Sequence, residues 1–288
     1  MKTCLLFPNG KEKALTLSYD DGVDTDVRFI ELLEKFKIKC TFNLNSGCFM
    51  PEGSVRPEGQ VHFRLSESES KKVYNNPFCE VATHGVTHPF FSNQPTAQCM
   101  IEIIEDRLAL EKMFGKIIRG HAYAYGDYNN DAVDILKQAG IVYARTVKSH
   151  HTFSIPTDWM RLGATCHHND PELMNLANKF INDEVGNNDG WLFYLWGHTY
   201  EFRGNDNWNV IEEFFQKVAN CDNVWYATNI EVYDYVTAYK SLIYSADGHK
   251  VYNPTATEIW VKIDGKKVCV PMGQTINVKL NRDLENNV

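Results

Sequence analysis

Residues 14–26 read ALTLSYDDGVDTD, and how this stretch is read decides the fold. Leu15, Leu17 and Tyr19 alternate with Thr16 and Ser18, the period-two pattern of a strand with one apolar face. The strand then meets two adjacent carboxylates, Asp20 and Asp21, and Gly22 permits a sharp turn after them. Neighbouring acids repel unless something positive lies between them. Taken alone, DDG reads as a turn and the cap of the next helix, positions that Asp favours. The other reading, a strand end that delivers two acids to a site, depends on the rest of the chain.

Downstream, strand and helix alternate. DVRFIELLEKF (26–36) places Phe29, Leu32, Leu33 and Phe36 on one helical face, and KCTFNLN (39–45) alternates as a second strand. A Gly- and Pro-rich loop covers about 46–65. Ser66 then offers a helix cap with Glu69 as its capping-box partner. CEVATH (79–84) reads as a strand, and 95–115 as a long helix with Pro95 at its start and Gly115 past its end. Residues 116–126 read as strand then loop, 131–140 as helix, 141–146 as strand and 171–183 as helix. WLFYLWGH (191–198) is a strand of the fully buried kind, 208–218 a helix and 224–229 a strand. Such alternation gives a parallel sheet with helical crossovers. About seven strand candidates suit a distorted (β/α) barrel, with its active site at the carboxyl ends of the strands. From residue 246 the texture changes to short strands, 249–253, 257–264, 266–271 and 275–280, with Asp264-Gly265 as a hairpin turn. The expected division is a barrel over 1–245 and a small antiparallel β appendage over 246–288.

Composition narrows the function classes. The 288 residues are 43% hydrophobic and 23% charged, with a net charge of −8. That balance argues against a nucleic-acid binder and against a polybasic membrane anchor. No apolar run approaches the roughly 20 residues that span a bilayer, and the N-terminal apolar stretch is short and broken by Pro8. A cytoplasmic location is the expectation. The eight cysteines are scattered without a CxxC, which reads as reduced, mostly buried thiols.

Polar residues collect at the strand ends. They are Asp20 and Asp21; His84 and His88 in THGVTHP; Arg119, His121, Tyr123 and Tyr125; and His198 in LWGHTYEF. H-x-x-x-H lets two imidazoles reach one ion when the segment is helical or tightly turned. A carboxylate as third ligand leaves open positions for water. One of the two acids can then bind the ion, while its neighbour serves as a general base. The ion and Arg119 would relieve their repulsion.

The set SYDDG, THGVTH, the Arg119 segment and LFYLWGH, spread over about 15–228, resembles the polysaccharide deacetylases, the family-four carbohydrate esterases. The resemblance implies a distorted (β/α) barrel, one divalent metal ion (usually zinc, with cobalt, nickel or manganese as alternatives) and an acetylated carbohydrate as substrate. It implies Asp20 as the base and Asp21, His84 and His88 as metal ligands. His198 becomes the general acid, Arg119 the arginine that pairs with the base, and Asp158 of Asp158-Trp159 the partner that orients His198. The family's Arg-x-Pro-Tyr is replaced by RGHAYAYG (119–126), so the oxyanion N–H is expected from Tyr123 or Tyr125.

Other residues carry two readings each. His168, with His167 and Asp170, contacts substrate or lines a second metal, or else the segment caps the helix that follows. Trp196 is a candidate substrate contact, and with Trp191, Tyr200 and Trp208 a candidate sugar platform; each aromatic alone is ordinary packing. His150 and His151 read as solvated, and Glu102, Glu105 and Glu111 as the wet face of a helix. Two rival functions remain. A non-haem iron oxygenase shares the two-His, one-acid set but usually sits on an all-β scaffold. A sugar-binding module would keep the fold without turnover. Within the hydrolases, an amide that is not a sugar is the alternative substrate.

Overall fold

The computed structural model describes residues 2–278. Its centre is a nine-stranded sheet in which every pairing is parallel. After β1 (Thr3–Leu6), the sheet strands are β2 (Lys13–Asp20), β3 (Cys40–Leu44), β4 (Cys79–Thr83), β5 (Gly120–Ala122), β6 (Tyr143–Ser149), β7 (Leu162–Ala164), β8 (Cys166–His167), β9 (Trp191–Gly197) and β10 (Val224–Tyr226). Their spatial order is β7-β6-β5-β4-β3-β2-β9-β8, with β10 beside the first half of β2. The helices are α1 (Asp26–Phe36), α2 (Glu67–Tyr74), α3 (Thr96–Phe114), α4 (Asn130–Gln138), α5 (Leu173–Asn182), α6 (Thr199–Gly204), α7 (Trp208–Val218) and α8 (Asn229–Lys240).

One segment closes the sheet into a barrel. β7 lies on β6 and β8 lies on β9, and only Thr165 separates them. The Thr165 N–H donates to Tyr194 O at 2.8 Å, and its carbonyl accepts from His151 N at 3.0 Å. Residues 162–167 therefore run along both edges at once. The sequence reading did not include this strand.

The alternation in β2 sorts the barrel into a wet inside and a dry outside. Leu15, Leu17 and Tyr19 pack outward with Phe42, Phe193 and Leu195 against Phe29 and Leu33 of α1, Phe180 of α5 and Phe214 and Phe215 of α7. Thr16, Ser18 and Asp20 point inward. There Thr16 bonds Asn229 (2.8 Å), Asn43 bonds Ser18 (2.8 Å), and Thr41 and Tyr143 donate to Glu80 (2.8 and 2.6 Å). These inward groups bond to one another, as burial without water favours. Ser66 and Glu69 form the expected capping box on α2, a feature worth about 0.5–2 kcal/mol. Helices α6 and α8 were not read from the sequence, and α8 sets Asn229 at the base of the barrel interior.

The appendage begins earlier than expected. β11 (Ile243–Tyr244), β12 (Lys250–Tyr252) and β15 (Thr275–Asn277) form one small antiparallel sheet. β13 (Ile259–Ile263) and β14 (Lys266–Val270) form another, which recruits β1 from the opposite end of the chain. Asp264 and Gly265 both take positive φ, 47° and 85°, as the expected hairpin turn needs. Leu5, Phe7, Val232, Tyr235, Val261 and Val270 share one apolar cluster, so this layer packs on α8. Of the expected strand 275–280 and the appendage to 288, residues 279–288 lie outside the described residues.

Candidate active site

The two acids of SYDDG part company because the strand ends between them. Asp20 is the last residue of β2 and points into the barrel, whereas Asp21 takes φ 82°, in the left-handed region. Asp20 Oδ1 accepts from Asn43 at 2.7 Å and Oδ2 accepts from Arg145, with His84 Nε2 and His198 Nε2 at 3.8 and 3.7 Å. Asp21 Oδ1 accepts from Arg64 at 2.7 Å and lies 3.7 Å from His88 Nε2, and Oδ2 lies 3.4 Å from His62. Burial works to raise both carboxyls. The Arg145 cation outweighs it at Asp20, and the His62 contact and Arg64 outweigh it at Asp21, so both stay below the usual range and ionised.

The H-x-x-x-H segment is a tight turn after β4. Gly85 has φ 80°, and a Cβ there would meet Pro89 Cδ at 2.5 Å, so glycine is required. His84 Nδ1 is tied to Ala122 O at 2.7 Å, which aims Nε2 into the barrel mouth. That Nε2 is buried and has no hydrogen-bond partner. One ligand atom each from Asp21, His84 and His88 lies within 4.8 Å of the others. Burial lowers both imidazoles, His88 to about 4, and leaves their lone pairs free. An orphaned, buried ring nitrogen beside a second imidazole and an ionised carboxylate fits a divalent ion such as zinc.

Two α3 carboxylates hold this turn, and neither was identified from sequence. Asp106 accepts from His84 N (2.9 Å) and Ser46 N (2.7 Å), and burial raises it to about 6. Glu102, expected on a wet helix face, is buried and accepts from Thr87 N and Oγ1 at 2.9 and 2.7 Å. The helical period misleads here because α3 presents this edge to the turn, not to water.

His198 follows β9, in the expected place. Its Nδ1 faces Glu201 Oε1 at 3.1 Å. Burial works to lower the imidazole, but the Glu201 contact and Asp20 raise it overall. Glu201 is one turn on in α6; it was missed although its i+3 spacing from His198 stands in the sequence.

Several expected residues sit elsewhere. Arg119 precedes β5, at the far end of the barrel, and makes a two-pronged pair with Asp234 at 2.9 and 2.6 Å. The arginine on Asp20 is Arg145 of β6, wholly buried with its guanidinium 4.5 Å over Trp196. Its signal was an arginine inside the apolar strand IVYARTV, which has to find a carboxylate. Asp158 caps a short 3-10 turn at Met160 N and pairs with Arg161; Glu201 takes the place expected of it beside His198. His168 is fully buried against Tyr19 and Glu201. Trp196 is the floor beneath Arg145 rather than an open contact. Trp191 and Trp208 pack on Phe153 and on Phe202, which leaves Tyr200, 5.1 Å from the His198 ring, as the site's member of that set. Tyr123 is buried, its hydroxyl on Met160 O (2.9 Å) and its N–H on Arg145 O (3.0 Å). Tyr125 has φ 59° and an exposed ring, stacked on Phe90 at 3.9 Å and edge-on to His88 at 4.3 Å. His151 is not simply solvated but pairs with Asp170 at 2.7 Å.

The polysaccharide deacetylase family model matches residues 8–144. Over these residues, just under half of the chain, the sequence is similar to the polysaccharide deacetylase family. The match holds the two acids, both histidines of the turn and Arg119; Arg145 and His198 lie beyond it. Among solved structures, a deacetylase-like protein of Mycobacterium smegmatis is 13% identical with a TM-score of 0.54, covering 83% of this chain and 96% of that one. The Xyl-CE4 domain of a multidomain xylanase from the hindgut metagenome of Trinervitermes trinervoides is 17% identical with a TM-score of 0.50, covering 79% and 92%. At these identities the likeness is one of fold. The Streptococcus pyogenes deacetylase PplD, solved with acetate, is 19% identical with a TM-score of 0.43 over 51% of this chain, which spans 61% of that protein. No curated protein matches. Among the described residues no helix is long and apolar enough to cross a membrane.

Proposed function

We propose that the chain is a metal-dependent hydrolase that removes acetyl groups from an acetylated carbohydrate. The observation that carries this reading is the buried, partnerless His84 Nε2, grouped with Asp21 and His88 beside a separately held, ionised Asp20. A divalent ion held by Asp21, His84 and His88, zinc being the natural fit, would supply Lewis acidity toward the acetyl carbonyl and toward a water.

The chain's own residues divide the remaining work. Asp20, aimed by Asn43 and Arg145, takes a proton from the water that adds to the carbonyl carbon. The N–H of Tyr123 is committed to Arg145 O, so the turn at Tyr125 is the source of the backbone donor to the oxyanion. His198, whose protonated form is favoured by Glu201 and Asp20, gives its proton to the sugar nitrogen or oxygen as the bond to the acetyl carbon breaks. Acetate and the free amine or alcohol leave. The exposed Tyr125–Phe90 stack beside His88 offers a flat apolar face to a sugar ring.

The test is acetate release from a panel of N- and O-acetylated oligosaccharides, with metal content measured on the same samples. Release that tracks metal in the wild type and vanishes with the metal in His84→Ala supports the reading. Metal-replete protein that releases no acetate from any of them overturns it.

A further inference from the structure

We propose that His167, His198 and Glu201 form a second divalent-cation site, of the two-imidazole, one-carboxylate kind that suits zinc, and that filling it silences His198. The site itself stands on geometry alone; only its inhibitory consequence rests on the deacetylase reading.

One ligand atom from each of the three lies within 4.8 Å of the others. His167 Nε2 is 3.3 Å from Glu201 Oε2, and His198 Nδ1 is 3.1 Å from Glu201 Oε1. Ligand bonds of about 2.0–2.2 Å around zinc need only a small inward shift of these groups. The backbone prepares the set. His167 ends β8, His198 follows β9, and the two strands are paired neighbours with His167 in register with Trp196. Glu201 stands on the first turn of α6, on the same side as His198 by its i+3 spacing.

A supporting shell is also present. The Asn169 side-chain amide donates to Glu201 Oε2 at 2.9 Å, and the fully buried His168 brings Nε2 to 2.9 Å from the same oxygen. Partners of this kind orient a ligating carboxylate. The three ligands are 19–23% exposed, which leaves an ion a way in. Burial and the neighbouring His168 hold His167 near 3, so its ring is neutral, while Glu201 stays ionised because its histidine contacts outweigh burial. A cation would take the place of the proton between His198 Nδ1 and Glu201 and release it to solvent; the neutral His167 ring would keep its one proton, moved from Nε2 to Nδ1, and give up the hydrogen bond that Nδ1 accepts from Asn169 N.

His167 is the informative member. The proposed hydrolysis uses Glu201 and His198 but makes no use of His167. The second site borders the first across Asp20, which is 3.7 Å from His198 Nε2, and shares no ligand with it. An ion bound to His198 Nδ1 and Glu201 would remove both the carboxylate that orients the imidazole and the positive charge it needs as a proton donor. The proposal therefore makes excess zinc an inhibitor.

The experiment is a zinc titration of metal-stripped full-length chain by calorimetry and equilibrium dialysis, in wild type, His84→Ala, His167→Gln and His167→Ala. Wild type should bind two ions, each His167 variant one, and His84→Ala should keep only the weaker. Acetate release should be equal in wild type and His167→Gln at one equivalent. It should fall at least tenfold in wild type alone as the second site fills. A wild type that binds one ion, or a second ion that persists in both His167 variants, overturns the proposal. Two ions with no acetate release at any loading would overturn the deacetylase reading and leave the second site standing.

Discussion

Replacing Arg145 by methionine tests whether Asp20 is held by this arginine or by Arg119, the one expected from the sequence. Arg145 is one of the largest fully buried side chains among the described residues, and its guanidinium lies between Asp20 and the face of Trp196. Methionine keeps most of the volume and removes the charge. Breaking a buried pair from one side costs about 3–5 kcal/mol, because the remaining carboxylate is left uncompensated. Without the cation, burial dominates at Asp20 and drives it toward the neutral acid, which cannot take a proton. The rate should then fall roughly 10²–10⁴-fold, the usual worth of a positioned base. Arg119→Met breaks a pair with Asp234 that is one-third exposed on one side and half-exposed on the other, worth about 0–1 kcal/mol, and should leave the rate alone. Urea unfolding of both variants and acetate release at saturating metal give the comparison. Arg145→Lys, which keeps the charge but not the planar fork, should fall between wild type and methionine. If Arg119→Met loses more stability and rate than Arg145→Met, the pairing argued from the barrel interior is wrong.

Three further outcomes follow from the site and its surroundings. Asp20→Asn should keep metal and lose rate about 10²–10⁴-fold, whereas Asp21→Asn should lose metal affinity and recover in part with excess metal; metal titration followed by rate at saturation checks both, and the reverse pattern would show base and ligand exchanged. Glu201→Gln should lower kcat at unchanged first-site metal content while Asp158→Ala stays near wild type, read by steady-state kinetics; equal losses in the two would return the orienting role to Asp158. Asp26 is buried on Thr199 and Tyr74 and raised by burial from 3.8 to about 7. Between about pH 4 and 7 the unfolded chain therefore loses this proton while the folded chain keeps it, so folding stability falls as pH rises through that window. Asp26→Asn should gain on wild type across it, by up to about 4 kcal/mol, measured as the difference between their unfolding free energies, and a flat difference would refute the burial argument.

The barrel's outward face was legible because alternation is a local property. Leu15, Leu17 and Tyr19 announce their side of β2 without knowledge of any partner. Asp20, Asp21, His84 and His88 stood out for the same reason, since DDG and H-x-x-x-H are short and chemically odd. The errors came where a role is settled by register between distant strands. Arg119 lies in the expected order along the chain, but it stands before β5, whereas Arg145 is paired with Ala122 at the catalytic end. Asp158 offered a familiar dipeptide, while Glu201 offered only spacing. The closing strands β7 and β8 have three and two residues, too few for any period to show.

That closing segment also dictates when the protein can work. β2 runs beside β9 over seven residue pairs at a separation of about 178 positions, and residues 162–167 must settle against one strand made before them and one made after. Such distant pairings slow folding, because chain entropy is lost before the contacts repay it. On the ribosome, the acids and both turn histidines emerge long before the strand that carries His198. A growing chain would hold the pieces of a metal centre with no proton donor, and its barrel would stay open along the edge that brings His167 and His168 into place. The proposed activity needs the closed barrel: the seam along residues 162–167 is also a wall of the candidate site.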